Sequence, residues 1–345
     1  MAGALRILSR IMAEIDKDLA RVLTRVMPEF VSLERCARLS GGASQETYAV
    51  DIITRDGPRR LALRRSPGGQ LDARDYGGPG LAVEARLMTL ARNAGVPAPE
   101  ILHVLDSGDG LGEGFVMEWL NGETLGARIV KAEEFADVRQ RLAYQCGEIL
   151  ARIHAIDVEA HALTESLERL TPAAFVERQW AYYRKLGTPQ PMIDFTARWL
   201  LENLPAERPL TLVHNDFRNG NLMVSAEEGV VGVLDWEVAH IGDPMRDLGW
   251  ICTNSWRFGR PDRPVGGFGD YADLLAGYAA AGGRPIDLSR VRFWQMLGSL
   301  RWGVMCLTMY LSWRDGAEKS VERPMIGRRV SETEADLVVL LEQGL

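Results

Sequence analysis

The chain has 345 residues, enough for two domains or for one domain built as two lobes. Its composition, 46% hydrophobic and 25% charged, belongs to packed globular proteins and excludes disordered and fibrous classes. A net charge of -7 leaves no electrostatic footprint for nucleic acid or for an anionic membrane surface, so neither is expected as a partner.

Residues 5–26 place Leu5, Leu8, Met12, Ile15, Leu19, Val22 and Val26 at alternating spacings of three and four, which predicts an amphipathic helix with one apolar seam. Docking of that seam on the chain's own body is the expectation. A seam of this length also suits pairing with a second copy, which makes a homodimer through this helix the competing one. Arg6, Arg10, Glu14, Asp16, Lys17 and Asp18 interrupt the apolar residues, so neither a signal-peptide core nor a membrane span is expected. Cys36, Cys146, Cys252 and Cys306 are far apart and form no metal-ligand or disulfide pattern; reduced thiols and a cytoplasmic location are expected.

From about residue 33 to 119 the pattern becomes short strand-like runs: Tyr48–Ile53 after a glycine turn, Leu61–Arg64 after Asp56-Gly57-Pro58, and Gly114–Trp119. These predict an antiparallel sheet. One helix interrupts it, Leu81–Ala94, with Val83, Leu87, Leu90 and Ala91 as its buried stripe and Gly95 and Pro97 at its end. After Asn121-Gly122 the chain turns helical. Residues 132–156 show a face of Phe135, Val138, Leu142, Ile149 and Ile153 that is apolar apart from Gln145. A boundary near residue 120 therefore separates residues 1–120 from 121–345. In the helical region a pair of strand-like pieces, Leu210–Val213 and Val230–Leu234, brackets a polar loop.

That loop reads His214-Asn215-Asp216-Phe217-Arg218-Asn219-Gly220-Asn221, and Leu234-Asp235-Trp236 follows. Transfer of a phosphoryl group to an alcohol needs an oriented hydroxyl, a proton acceptor and cations to spread phosphate charge. Asp216 supplies an acceptor, and Asn221 and Asp235 are hard oxygen ligands of the kind magnesium prefers.

The pattern H-x-D-x4-N, followed 14 residues later by Asp-Trp, resembles the catalytic and metal loops of the aminoglycoside phosphotransferase and choline kinase superfamily. The resemblance implies a protein-kinase-like α+β fold in two lobes: an N-terminal lobe of antiparallel sheet plus helix that binds nucleotide, and a mainly helical C-terminal lobe with the catalytic loop and acceptor site. It implies Asp216 as the base and Asn221 and Asp235 as magnesium ligands. His214 resembles the histidine that holds the loop backbone. Arg218 matches the position where protein kinases carry a lysine that neutralises the γ-phosphate, against a competing reading as a surface salt bridge. The segment Gly242-Asp243-Pro244-Met245-Arg246-Asp247-Leu248 resembles the superfamily's G-D-P-x-x-D-L, which implies that Asp243 and Asp247 brace the loop and cap a helix.

On the nucleotide side, Gly41, Gly42 and Ser44 lie in a turn placed to cover phosphates, although the full G-x-G-x-x-G spacing is lacking. Leu61-Ala62-Leu63-Arg64 resembles the V-A-I-K strand, with Arg64 where the family has lysine, and Glu84 stands where that residue's partner belongs; an exposed ion pair is the competing reading. Glu118, Trp119 and Leu120 resemble the hinge that pairs the nucleoside base through backbone groups. That recognition does not separate ATP from GTP.

The resemblance thus implies an ATP- or GTP-dependent kinase acting on a hydroxyl of a small molecule, with Mg²⁺. The segments G-G-x-S, L-R-R-S-P and V-M-E-W resemble phosphotransferases related to those fused to acyl-CoA dehydrogenases, which implies an apolar or hydroxyacyl acceptor. The aromatic residues Phe175, Trp180, Tyr182, Tyr183, Trp294, Trp302, Tyr310 and Trp313 are expected mainly in the core; any that line the cleft would suit such an acceptor better than a polycation. The alternatives are an antibiotic or aminoglycoside O-phosphotransferase, a choline-type kinase, and a silent kinase-like regulator that binds nucleotide. Protein kinase activity is disfavoured because Gly242-Asp243-Pro244 follows Asp235 too closely for a peptide-docking segment.

Overall fold

The computed structural model describes residues 2–39, 45–66, 78–317 and 319–344, with side chains described from Glu14 onward. Gly41, Gly42 and Ser44 lie outside the described residues. The chain divides into two compact units. The first comprises the residues up to Asn121 together with Leu234–Val238, and the second comprises Gly122–Val233 and Ala239–Leu345.

In the first unit helix α1 (Ala2–Val26) precedes a five-stranded antiparallel sheet of β1 (Phe30–Arg38), β2 (Glu46–Thr54), β3 (Gly57–Arg65), β4 (Ile101–Val104) and β5 (Gly114–Glu118), in spatial order β1-β2-β3-β5-β4. Helix α2 (Leu81–Asn93) is inserted between β3 and β4. Successive side chains of a strand face opposite sides, and in β2 every second residue from Glu46 to Thr54 is buried. Tyr48, Val50 and Ile52 on that face pack with Ile15, Leu19, Val22 and Leu23 of α1. The described half of the α1 seam is thus covered by its own sheet. Leu19 is fully buried there, so Leu19→Ala would cost about 2–5 kcal/mol.

Helix α2 departs from the expected stripe. Its buried residues are Leu81, Glu84, Ala85, Leu87, Met88 and Ala91, while Val83 and Leu90 are half-buried. The helix is rotated so that Glu84 faces inward, and Arg64 of β3 meets it there at 3.2 Å.

The second unit is mainly helical: α3 (Gly126–Lys131), α4 (Ala136–His154), α5 (Pro172–Lys185), α6 (Pro191–Glu202), α7 (Met245–Ile251), α8 (Tyr271–Ala280), α9 (Leu288–Arg314), α10 (Glu322–Gly327) and α11 (Val330–Gln343). Two short antiparallel pairs lie among them, β6 (Thr211–Val213) with β9 (His240–Gly242), and β7 (Leu222–Ser225) with β8 (Gly229–Val233). Gln145, the polar residue on the apolar face of α4, accepts from the Val230 amide at 3.2 Å and donates to the Glu228 carbonyl at 2.8 Å. It satisfies backbone groups at the β7–β8 turn. Helix α7 packs closely on α9 because residue 249 is glycine: a Cβ there would stand 2.5 Å from Trp294 Cβ and 2.7 Å from the Gln295 amide.

Of the aromatic residues flagged from sequence, Phe175, Tyr183, Trp294 and Trp302 are buried, whereas Tyr182, Tyr310 and Trp313 are exposed. Among the described residues no helix is long and apolar enough to cross a membrane.

Candidate active site

Asp216, in the loop between β6 and β7, is held by three side-chain donors, two from the loop and one from α7. Trp250 Nε1 donates to Oδ1 at 2.8 Å, Arg218 Nε donates to Oδ1 at 3.1 Å, and Asn221 Nδ2 donates to Oδ2 at 2.6 Å. The same Asn221 nitrogen also donates to the Asp216 carbonyl at 3.0 Å. Its amide nitrogen is therefore committed to the loop, which leaves the amide oxygen as the atom that could meet a ligand. Arg218 is tied down at its other end by a 2.8 Å bond to the Asn219 carbonyl and lies over the Trp256 ring, 4.5 Å from its centroid. It is a fixed group beside Asp216.

The loop backbone is pinned from α7. Asp247, fully buried, accepts from the His214 amide at 2.8 Å and from the Asn215 amide at 2.7 Å. Burial alone would raise its carboxyl; the hydrogen bond and charge of His154, with the His214 backbone bond, outweigh that and hold it below the ordinary value. Asn215 can keep a φ of 68° because asparagine tolerates the left-handed region. Arg246 donates to the Asn215 side chain and Arg301 to the Asn215 carbonyl at 3.0 Å. Burial, reinforced by Arg301, pushes the Arg246 guanidinium well down; Arg301 is lowered by burial too, and Asp216 opposes both shifts.

His214 is fully buried, and its Nδ1 accepts from the Asp216 amide at 3.2 Å. Asp243 accepts from the Met245 amide at 3.0 Å, at the start of α7, and from Arg290 and Trp294 at 2.7 and 2.8 Å. These two side chains thus bond to backbone and neighbouring side chains around the loop.

In the first unit Arg64 and Arg65 are adjacent on β3 and point to opposite faces. Arg65 pairs with Glu46. Arg64 reaches Glu84 at 3.2 Å, Asp235 at 2.5 Å and Glu237 at 3.3 Å. The exposed-pair reading of Arg64 and Glu84 is excluded, because Glu84 is 1% exposed and the Arg64 side chain 14%. Burial, opposed by Arg64 and reinforced by Asp235 and Glu237, raises the Glu84 carboxyl to about 7. Burial would lower the Arg64 guanidinium, but its three carboxylate neighbours raise it. One guanidinium against three carboxylates leaves the cluster short of positive charge. Glu84 Oε2 is buried without a hydrogen-bond partner among the described residues. Asp235 itself adopts φ 66°. Such a donor set suits a hard divalent cation.

At the end of β5, Glu118 accepts from the Glu100 amide at 3.1 Å, and Arg60 lies over the Trp119 ring at 5.3 Å. Those side chains serve the sheet. Leu120 follows the strand outside regular structure and is half-buried.

Sequence reasoning missed Trp250, Arg246 and Arg301. The available signal was the spacing Asp247-x-x-Trp250, which puts both residues on one side of a helix. A different group with metal-ligand spacing, His103, Asp106 and Asp109, is already served by Arg25, 2.6 Å from Asp109. A cavity of about 510 Å³, lined by His154, Arg169, Tyr278 and Arg284 among others, includes neither Asp216 nor Asn221.

The fold and these clusters define a protein of the kinase-like phosphotransferase class. Residues 35–294 match the phosphotransferase enzyme family, and the chain belongs to it. Among curated relatives, acyl-CoA dehydrogenase family member 10 of Mus musculus is 31% identical over 218 residues, covering 61% of this chain and 19% of that protein. Acyl-CoA dehydrogenase family member 11 of Homo sapiens is 28% identical over 255 residues, covering 68% of this chain and 32% of that protein. The chain therefore spans about a fifth to a third of the length of these relatives. Among solved structures, a candidate aminoglycoside phosphotransferase from Ralstonia eutropha superposes with a TM-score of 0.72 at 21% identity, covering 95% of this chain and 98% of that one. A choline/ethanolamine kinase family protein from Mesorhizobium loti does so with 0.58 at 21% identity, covering 94% and 98%.

Proposed function

We propose that the protein transfers the γ-phosphate of ATP or GTP to a hydroxyl group of a small molecule. The observation that carries this reading is the Asp216 carboxylate, held by Trp250, Arg218 and Asn221 on a loop whose backbone Asp247 pins. A carboxylate fixed in this way can take the proton of an acceptor hydroxyl as its oxygen attacks the γ-phosphorus and the bond to the leaving nucleoside diphosphate breaks. The proton then rests on Asp216 until it is lost to solvent. Arg218 offers its guanidinium to the charge that builds on the phosphoryl oxygens.

Asn221 and Asp235 would hold Mg²⁺, which when bound neutralises phosphate charge. Glu84 and Arg64 would order the nucleotide side, with Arg64 in place of lysine keeping the charge while orienting Asp235. Gly41, Gly42 and Ser44 would cover the phosphates, and the backbone of Glu118, Trp119 and Leu120 would receive the nucleoside base.

Among the described residues, the surroundings of Asp216 offer no dense carboxylate lining for a polycationic acceptor, because Asp247 and Asp243 are buried and Asp216 itself is bonded by Arg218. The names of the acyl-CoA dehydrogenase relatives add support for a hydroxyacyl acceptor. Thermal unfolding with ATP, with and without Mg²⁺, tests the reading. A rise in midpoint that needs Mg²⁺ and is lost in Asp235→Ala is expected by mass action; no rise would remove the nucleotide site.

A further inference from the structure

The Asp216 carboxylate has about four lone-pair positions, two on each oxygen. Among the described residues Oδ1 receives both Trp250 Nε1 and Arg218 Nε, while Oδ2 receives only Asn221 Nδ2. Oδ1 is filled, and the one open position lies on Oδ2, on the side of Asn221.

Trp250 is built to hold this bond. It is 1% exposed, the Arg301 guanidinium lies over its ring at 4.8 Å, and Trp256 meets it edge-on at 5.2 Å between centroids. Arg301 in turn is anchored on the Asn215 carbonyl at 3.0 Å. Trp250 sits three residues after Asp247 on α7, so a single seven-residue helix grips the loop twice, by its backbone through Asp247 and by the Asp216 side chain through Trp250. Bonds from a neutral donor to a carboxylate are strengthened by the charge and are further strengthened where water is excluded.

We propose that Trp250 is a positioning residue for phosphoryl transfer: by filling Oδ1 together with Arg218 it turns the open lone pair of Oδ2 toward the acceptor hydroxyl, next to Asn221. The proposal rests on Asp216 acting as the base. It assigns Trp250 no contact with substrate, and it makes the donor hydrogen of the indole, rather than its bulk, the feature that matters.

The test uses the full chain and two measurements. In ¹⁵N-tryptophan-labelled protein, the indole N–H signal that disappears in Trp250→Phe is the signal of Trp250. It is expected downfield in the wild type, protected from solvent exchange, and shifted upfield in Asp216→Ala while the remaining indole signals keep their places. In parallel, hydrolysis of Mg²⁺-ATP with water as the acceptor is expected to show a kcat about 10- to 100-fold lower in Trp250→Phe, with the KM for ATP unchanged. An indole signal that ignores Asp216→Ala overturns the proposal, whatever the hydrolysis rate. So does a wild-type kcat in Trp250→Phe, or a fall in kcat no larger than the loss of folded protein. Hydrolysis that survives in Asp216→Asn would instead remove Asp216 as the base, an outcome the indole signal does not affect.

Discussion

The two charged clusters of this protein are balanced differently. Around Arg64 three carboxylates, Glu84, Asp235 and Glu237, face one guanidinium. Around Asp216 the guanidinium of Arg218 bonds the carboxylate, and Arg246 and Arg301 crowd the preceding residue, Asn215. The first cluster is short of positive charge, whereas in the second the carboxylates of Asp216, Asp247 and Asp243 stand against the guanidiniums of Arg218, Arg246 and Arg301. In the proposed reaction the first cluster would take the cation, while the donors on both oxygens of Asp216 would keep its carboxylate oriented.

The sharpest way to break the contrast is to remove the proposed base. Asp216→Asn keeps an acceptor oxygen for Trp250 but cannot take a proton, so turnover should fall about 10²- to 10⁴-fold while the nucleotide-dependent rise in unfolding midpoint persists. Equal loss of both would count against the role. Next in size, Asp247→Ala strips the His214 and Asn215 amides of their acceptor inside the core, and denaturant unfolding should show a loss of about 3–5 kcal/mol. A stability within 1 kcal/mol of wild type, roughly the scale of a surface change, would mean the loop is held by something else.

Asp235→Ala is expected to leave the fold intact and to abolish the part of the ATP-dependent midpoint rise that needs Mg²⁺. A wild-type response to Mg²⁺ would rule out Asp235 as the proposed metal ligand.

The smallest effect concerns Glu84. Its folded value is raised from the ordinary 4.5 to about 7, so between those values the folded state keeps a proton that the unfolded state has lost. Its contribution is fully present below pH 4.5 and is lost as pH rises to about 7, a decline on the order of 3 kcal/mol in protein free of nucleotide and metal. Glu84→Gln should flatten that segment of the stability profile. An unchanged slope would show that the burial of this carboxyl is offset by Arg64.

Much of this was legible in the sequence because the residues that act together lie close along the chain. The separation of five residues from Asp216 to Asn221 is short enough for one loop to bring them within 2.6 Å. The pairing of Arg64 with Glu84 was legible through the order of strand and helix. Trp250 and Arg301 were not, since their contacts with Asp216 and Asn215 arise from packing of α7 on α9, which no local pattern records. Strand β1 was hidden for another reason: register shifts between Phe30 and Ser32 and between Leu33 and Arg35 break the alternation that marks a strand. The buried stripe of α2 was misplaced because hydrophobicity alone turns Val83 and Leu90 inward, whereas a buried guanidinium rewards turning Glu84 inward instead.

The return of Leu234–Val238 to the first unit also bears on how the protein is made. A ribosome finishes β5 long before it reaches Asp235, so during synthesis Arg64 and Glu84 meet as an even pair, one charge against one. Only after the whole intervening stretch has been added do Asp235 and Glu237 arrive and tip that pair toward excess negative charge. The nascent sheet can therefore form without a surplus of buried carboxylate, and that surplus arises late, once much of the second unit has been made.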